Sequence, residues 1–188
     1  MRGATVALAL SLLAGPAFGD VAKGGALSAS CAHCHGTDGN SSGAVYPNLA
    51  SQTKEYVYRQ IKAFKDGARQ NPQMSPMVGI LSDEDMRNLA DFYNFQSPAR
   101  KNTNADAALV EKGKKLVEDL QCASCHQPGY KGANEFPRLA RQKSTYLVKQ
   151  LQDFREGRRT NDNGVMAPTA KGLSDEQIEA IAQYLASL

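Results

Sequence analysis

All four cysteines of this chain lie in two copies of one short motif, and that pattern limits the fold more than any other feature. The motif Cys-x-x-Cys-His occurs as CAHCH at residues 31–35 and as CASCH at residues 122–126. The stretches that follow it match as two aligned pairs: 46–71 with 136–161, and 81–93 with 173–185. The sequence is therefore a tandem repeat of one unit of about 80 residues.

Apolar spacing predicts that each unit is helical. Tyr56, Gln60 and Phe64 recur at i, i+4 and i+8, which is one face of a helix. The second unit repeats this stripe with Tyr146, Gln150 and Phe154. The last helix of each unit opens with a sequence typical of a capping box, SDED or SDEQ. No stretch alternates with a period of two for long enough to predict a strand, so we expect an all-α fold. The sequence leaves open whether the side chains of Gln60 and Gln150 lie at an interface or are exposed to solvent.

The chain divides into a leader and two predicted domains. Residues 1–19 have one basic residue, an apolar run and small residues before Asp20, which is typical of a secretory signal peptide. The alternative is an N-terminal anchor that is retained. A polar, proline-containing connector at 97–107 predicts domains at 20–100 and 101–188. We expect an exported, periplasmic protein. Its formal net charge of +3 gives no indication of a nucleic-acid partner.

Four kinds of chemistry can use a pair of cysteines, and they differ in what they require of the histidine. Disulfides are common in exported proteins but leave each adjacent histidine unexplained. A four-cysteine zinc site would join the two pairs and would also ignore the histidines. A thioredoxin-like redox pair needs a βαβ context. Covalent haem uses every residue of the motif, because two thiols bond the porphyrin vinyl groups and the imidazole binds the iron. We therefore predict two covalently bound haem c groups.

The number of histidines limits the sixth iron ligand. The chain has three, and His33 lies inside its own motif, so His35 and His126 leave no second histidine for either iron. Methionine is the soft alternative, and Met74 and Met166 align as Met-x-Pro in the two units. Met77 stays open as a competitor for the first iron. We expect Met77 and Met86 otherwise to fill the core, as methionine often does.

With these residues in place, the sequence resembles the dihaem cytochrome c4 family, over essentially all of the chain after residue 19. The resemblance implies two tandem class I cytochrome c domains related by a pseudo-twofold axis, with haem carboxylates facing each other across the interface. It implies thioether bonds from Cys31, Cys34, Cys122 and Cys125, and axial iron ligation by His35, Met74, His126 and Met166. It also implies that the carbonyl groups of Pro47 and Pro137 accept the imidazole N–H, and that Gly24 and Gly113 lie where the first helix crosses the last, against Phe92 and Tyr184.

A haem iron that is ligated on both faces has no open position for substrate, so we expect an electron-transfer protein and not an enzyme. A dihaem peroxidase would need an open iron and histidine chemistry around it, which the number of histidines disfavours. The resemblance implies a donor such as a quinol-oxidising bc complex or a small copper or haem protein, and a haem–copper terminal oxidase as acceptor. Membrane contact would then be at most transient, through the oxidase. The alternative is the dihaem subunit of a flavin-dependent sulfide dehydrogenase or another periplasmic dehydrogenase.

Overall fold

The computed structural model describes residues 19–188, which form ten α-helices in two domains of five. The first domain contains α1 (Val21–Ser28), α2 (Ala32–His35), α3 (Lys54–Lys65), α4 (Met74–Val78) and α5 (Asp83–Phe95). The second contains α6 (Ala107–Asp119), α7 (Ala123–His126), α8 (Ser144–Arg155), α9 (Met166–Lys171) and α10 (Asp175–Ser187). Within residues 19–188 there is no β-strand, only an isolated bridge between Ala133 and Phe136. The all-α prediction is confirmed.

The predicted signal peptide falls on residues 1–19, of which 1–18 lie outside the described part of the chain. In the part that is described, no helix is both long and apolar enough to cross a membrane.

The first and last helices of each domain cross at a glycine. A Cβ atom at Gly24 would lie 2.0 Å from a carbonyl oxygen of α5 and 2.7 Å from Cβ of Phe92. At Gly113 the corresponding distances are 2.0 Å to a carbonyl oxygen of α10 and 2.8 Å to Cβ of Tyr184. Any larger residue would push the helices apart, so both crossings are as the resemblance to the cytochrome c4 family implies.

Capping boxes fix where the last helix of each domain begins. In α5 the Ser82 hydroxyl accepts from Asp85 N–H while the Asp85 carboxylate accepts from Ser82 N–H. In α10, Ser174 and Gln177 make the same two bonds. Each box satisfies N–H groups that a helix start leaves without partners, which confirms the sequence-based prediction.

Each domain has its own small apolar core. In the first domain the core lies mainly between α3 and α5, and its buried members are Val57, Ile61, Phe64, Val78, Met86, Leu89, Ala90 and Tyr93. In the second it lies between α6, α8 and α10, and its buried members are Val117, Tyr130, Ala140, Leu147, Leu173, Ile178, Ile181, Ala182 and Leu185. A unit of this size buries only about 60% of its surface on folding, so a bound porphyrin would add core that the side chains do not supply.

The domains meet through reciprocal hydrogen bonds between aligned positions. Gln52 Nε2 donates to the Arg138 carbonyl at 3.1 Å, and Arg138 N–H donates back to Gln52 Oε1 at 2.6 Å. Gln142 and Asn48, the partners of these residues in the repeat, make the same exchange at 2.8 Å in both directions. The two domains thus contact each other through equivalent surfaces, which is the contact pattern of a twofold axis.

Gln60 and Gln150 also lie at this interface and not in solvent, since they are only 7% and 9% exposed. Each accepts hydrogen bonds from an arginine of the other domain. The connector passes from the Ser97 carbonyl, which accepts from Asn40 of the first domain, to Asn102 N–H, which donates to α10. The predicted boundary between residues 100 and 101 falls inside it, and its position stays a prediction.

The helix crossing in the second domain gives a direct test of the fold. We expect Gly113→Ala to destabilise the holoprotein by about 1–3 kcal/mol, because the new Cβ overlaps a backbone carbonyl. Such a loss would lower Tm by roughly 4–8 °C per kcal/mol. Gly172→Ala is the matched control, since a Cβ there has no neighbour within 4 Å. Thermal unfolding followed by circular dichroism measures both, and equal melting temperatures would contradict the crossing.

Candidate haem sites

In each domain the Cys-x-x-Cys-His motif forms a short helical turn after the first long helix. Cys31 is the N-cap of α2, and Cys122 is the N-cap of α7. No disulfide joins any of the four cysteines, which all lie in the described residues, and all four are partly exposed. Residues three apart in a helical turn are neighbours on one face, so each turn presents two thiols together. This is the arrangement that two thioether bonds to one porphyrin require.

Both histidines of the motifs are buried and anchored at one ring nitrogen. His35 Nδ1 lies 2.9 Å from the Pro47 carbonyl, and His126 Nδ1 lies 2.9 Å from the Pro137 carbonyl. A carbonyl only accepts, so Nδ1 carries the proton and Nε2 keeps its lone pair. Burial lowers the pKa of both imidazoles, and this effect exceeds that of the prolyl hydrogen bonds, which raise it. The result is two neutral imidazoles with a free Nε2, the form that binds a metal.

An aromatic ring stands beside each of these imidazoles, and our sequence reasoning missed it. The Tyr46 ring lies 6.4 Å from the His35 ring, and the Phe136 ring lies 6.5 Å from the His126 ring, both edge to face. The signal was present in the repeat, since each aromatic residue directly precedes the proline that binds the imidazole. The rings shield the imidazole edge and help to hold its orientation.

The two aligned methionines begin equivalent helices. Met74 is the first residue of α4 and Met166 the first residue of α9, and both are partly buried. Met74 packs against the core of the first domain. Met77 is 47% exposed, so the expectation that it fills the core is wrong; the buried face of α4 carries Met74 and Val78, one turn apart. Met86, at 3% exposure, is a core residue as expected.

The N-terminus of each methionine helix is capped by a side chain from the preceding loop. Asn71 Oδ1 accepts from Met74 N–H at 2.9 Å. Asp162 Oδ2 accepts from Met166 N–H at 2.6 Å and from Ala167 N–H at 2.9 Å. Both caps fix the backbone from which the methionine thioether extends, but only the second one is charged.

These residues fit covalent haem better than the alternatives. Within residues 19–188, no group of three or more His, Cys, Asp and Glu side chains could hold a bare metal ion, which contradicts a four-cysteine zinc site. The Tyr93 hydroxyl is buried with no hydrogen-bond partner among the described residues, close enough to Cys31 for that thiol to add to the rise in its pKa that burial causes. A polar group left without a partner beside a thiol is consistent with a further group binding there.

Comparison with known proteins agrees with this geometry. The family model described as cytochrome c matches residues 21–93 and 110–188. A cytochrome c4 of Pseudomonas aeruginosa is 39% identical over 181 residues, which cover 92% of this chain and 90% of that protein. A thiosulfate dehydrogenase electron acceptor of Stutzerimonas stutzeri is 36% identical, covering 97% and 91%. The crystal structure of reduced cytochrome c4 from Pseudomonas stutzeri superposes with a TM-score of 0.85 at 36% identity, covering 90% of this chain and 99% of that one.

Two tandem haem-binding helical domains, each with its own Cys-x-x-Cys-His turn, define a dihaem electron-transfer cytochrome and not an enzyme. The chain belongs to the cytochrome c family, and the cytochromes c4 are among its relatives over nearly its whole length. The match of both domains to this family confirms the prediction of two covalent haem c groups, one at Cys31 and Cys34 and one at Cys122 and Cys125.

Removing one pair of thiols at a time tests the two haem sites separately. We expect Cys122→Ala with Cys125→Ala to give a protein with one haem, measured by the pyridine haemochrome spectrum. The second domain should then be cleaved first by a protease, because it lacks the porphyrin part of its core. Cys31→Ala with Cys34→Ala is the matched variant and should reverse the pattern. Two haems, or a second domain as resistant as in the parent, would contradict the assignment.

Proposed function

We propose that this protein is a periplasmic electron carrier in which His35 and Met74 bind the first haem iron and His126 and Met166 bind the second. The observation that carries the proposal is the pair of neutral, prolyl-anchored imidazoles, each followed in its domain by a capped methionine helix. A bound haem iron would cycle between its ferrous and ferric states and so carry one electron. Export rests on the sequence of residues 1–19, and amino-terminal sequencing of the purified protein tests it.

The chain's own residues would hold such irons in a closed state. The prolyl carbonyl fixes the imidazole tautomer and raises the electron density at Nε2. A methionine thioether and a buried environment both favour the ferrous form and raise the reduction potential. With two protein ligands on each iron, neither water nor substrate would have a position to bind.

The surroundings of the two motifs differ, so we propose that the two haems have different potentials. The first motif carries an exposed histidine, His33, where the second has Ser124. The loop after the first motif is held by the Ser41 hydroxyl, which donates to the Cys34 carbonyl at 2.7 Å. The loop after the second instead contains the 3₁₀ turn Pro128–Tyr130 with its buried tyrosine ring. Polarity near the haem edge therefore differs between the domains.

As partners we propose a respiratory donor, a quinol-oxidising bc complex or a small copper or haem protein, and a haem–copper terminal oxidase as acceptor. The similarity to a protein named as the electron acceptor of thiosulfate dehydrogenase favours a second function, the acceptor of a periplasmic dehydrogenase. The two functions differ in what reduces the cytochrome.

Stopped-flow reduction distinguishes these donors. The oxidised holoprotein is mixed with thiosulfate dehydrogenase and thiosulfate, or with bc complex and a quinol, both prepared from the source organism. Rapid reduction by the bc complex alone supports the respiratory carrier, and rapid reduction by the dehydrogenase alone supports the second function. If neither reduces it faster than a small-molecule donor, both partner assignments fail.

The ligand assignment has its own spectroscopic test. Oxidised holoprotein should show the weak far-red sulfur-to-iron absorption band at the intensity of two sites, and the reduced protein should not bind carbon monoxide. A haem that lacks the band and binds carbon monoxide would have an open iron, and the closed carrier would be wrong for that domain.

Substituting one methionine tests whether the sites are independent. Met74→His should lower the potential of the first haem by on the order of a few hundred millivolts, within the roughly 0.8 V range that axial ligands cover, and leave the second nearly unchanged. Met77→Leu is the control and should leave both potentials and the far-red band intact. Spectroelectrochemical titration measures the two potentials; an effect of Met77→Leu as large as that of Met74→His would instead assign Met77 as the ligand.

The charged cap in the second domain predicts a pH dependence that the first domain lacks. Burial raises the pKa of Asp162, but hydrogen bonds from the N–H groups of Ala167, Gly164 and Met166 outweigh it, so the pKa is lowered. The stability that the ionised carboxylate contributes is therefore complete above the ordinary carboxyl pKa of about 3.9 and is lost as pH falls through the lowered value. Asn71, the cap in the first domain, does not titrate.

We therefore expect the far-red band of the second haem to weaken at acidic pH before that of the first. The Met74→His variant isolates the second haem's band, and Met166→His isolates the first. Asp162→Asn in the Met74→His background should remove the difference in acid sensitivity. Identical acid profiles for the two haems in the single variants would contradict the role of this cap.

A further inference from the structure

Two arginines, one from each domain, meet at the domain interface, and the proposed function does not use them. Arg69 and Arg159 occupy the same position of the repeat, just after α3 and α8. Arg159 is 7% exposed and Arg69 is partly buried. Each guanidinium lies over an aromatic ring of its own domain, Arg69 at 4.6 Å from Phe64 and Arg159 at 4.5 Å from Phe154. Both cations are therefore held in place.

Both guanidiniums donate to the same two oxygen atoms. Gln60 Oε1 accepts from Arg69 at 2.7 Å and from Arg159 at 3.0 Å. Gln150 Oε1 accepts from both at 2.7 Å. Because they share an acceptor oxygen, the nearest nitrogen atoms of the two guanidiniums are no more than two hydrogen-bond lengths apart. Neutral amide oxygens satisfy N–H donors but do not cancel the repulsion between two cations that are largely removed from water.

Two tyrosines complete this arginine cluster, whose members are Arg69, Arg159, Gln60, Gln150, Tyr56 and Tyr146. Tyr146 accepts from Arg69 at 2.9 Å, and Tyr56 accepts from Arg159 at 3.0 Å. Burial alone would raise the pKa of Tyr56, yet its pKa is lowered because the guanidiniums of Arg159 and Arg69 stabilise the phenolate. As neutral phenols, the two tyrosines accept hydrogen bonds from the guanidiniums but supply no negative charge.

The nearby carboxylate does not neutralise the cluster. The Asp153 carboxylate contributes to the raised pKa of Arg69, but its oxygens bind Lys149 at 2.5 Å and Arg158 at 2.9 Å, which are two further cations. In the part of the chain that the structure describes, no salt bridge joins Arg69 or Arg159 to a carboxylate. The hydrogen bonds there use three N–H groups of Arg69 and four of Arg159. Each guanidinium has five, so donors remain for another acceptor.

We propose that the arginine cluster is a binding site for an oxyanion at the domain interface. A carboxylate or phosphate oxygen would accept from the remaining guanidinium N–H groups, and its charge would offset the repulsion. The oxyanion has two sources: a carboxylate of the haem groups themselves, which rests on the two-haem assignment above, or a free anion such as phosphate.

The cluster is also connected to the methionine loops, which gives it a route to both iron sites. Arg159 Nε donates to Asn161 Oδ1 at 3.0 Å, and Asn161 Nδ2 donates to Gln60 Oε1 at 2.9 Å. The next residue, Asp162, caps α9, and Asn71, two residues after Arg69, caps α4. A change of charge in the cluster should therefore be felt in both domains.

The test compares variants of the holoprotein at constant ionic strength in chloride and in phosphate. The test variants are Arg69→Gln, Arg159→Gln and the double variant. Arg87→Gln is the control, because it removes the same charge from an exposed pair with Asp83 in α5. Both reduction potentials are measured by spectroelectrochemistry, with haem content and the far-red band recorded for each variant.

We expect the double variant to lower both potentials by more than the control does, because losing two buried positive charges favours the ferric form. If the double variant lowers both potentials by more than the control does and the parent's potentials do not depend on phosphate, the haem carboxylates are the source of the oxyanion. If they fall with phosphate and this dependence disappears in the double variant, a free anion occupies the site. Should the double variant fail to fold, the single variants and Arg159→Lys, which keeps the charge but replaces the planar guanidinium, give the same comparison.

Potentials that match the Arg87→Gln control, with no dependence on phosphate, would overturn the proposal. Two haems and an intact far-red band in that case would leave the proposed function standing. Loss of the band in the parent protein would instead count against the ligand assignment, so the two failures are distinguishable.

Discussion

The hydrogen bond between the imidazole and the prolyl carbonyl is the interaction on which each domain depends. It joins the Cys-x-x-Cys-His turn to the loop that follows, at 2.9 Å in both copies. The same loop is held at its other end, where Leu49 N–H donates to the Gly39 carbonyl at 2.7 Å in the first domain. The thiols and the imidazole are thereby held in one position relative to the loop that follows them. Little apolar surface is needed to define the site, which suits a domain with so small a core.

Duplication of this unit explains the form of the interface. When two copies of one unit meet through the same surface, that surface must supply both the donor and the acceptor of every contact. Gln52 and Gln142 meet this requirement with neutral groups, because each side-chain amide both donates to and accepts from the backbone of the other domain. Any charged residue near such an axis meets a like charge from the other copy. Arg69 and Arg159 are in this position, and the repulsion between them is a direct cost of the symmetry. An interface anion relieves that cost, and it would place the two domains in a defined orientation.

The sequence predicted the features that depend on local chemistry or on the repeat. Capping boxes follow from a sequence pattern that occurs twice, whereas the glycines at the helix crossings and the prolines opposite the imidazoles are what the resemblance to the cytochrome c4 family implies. Contacts that depend on how the domains pack could not be predicted from the sequence. A polar residue in an apolar stripe is compatible with an interface or with solvent, and only the structure shows that Gln60 and Gln150 are buried. Met77 was misplaced because the helical face of a five-residue segment is too short to show a period. Tyr46 and Phe136 were missed although both copies place an aromatic residue before the proline.

The two domains share a backbone plan but differ in charge next to their sites. Asp162 caps the methionine helix of the second domain where the first uses the neutral Asn71. Asp153, held by Lys149 and Arg158, stands in α8 where α3 has Ala63. Because the helices of the two domains are alike, we expect differences in potential between the haems to arise from such side chains and from the loops after the two motifs. The second domain carries both carboxylates, of which Asp153 is paired with two cations, so its field depends on pH through groups that the first domain lacks at these positions. A carrier built in this way can keep one interface while substitutions near each site adjust each potential separately.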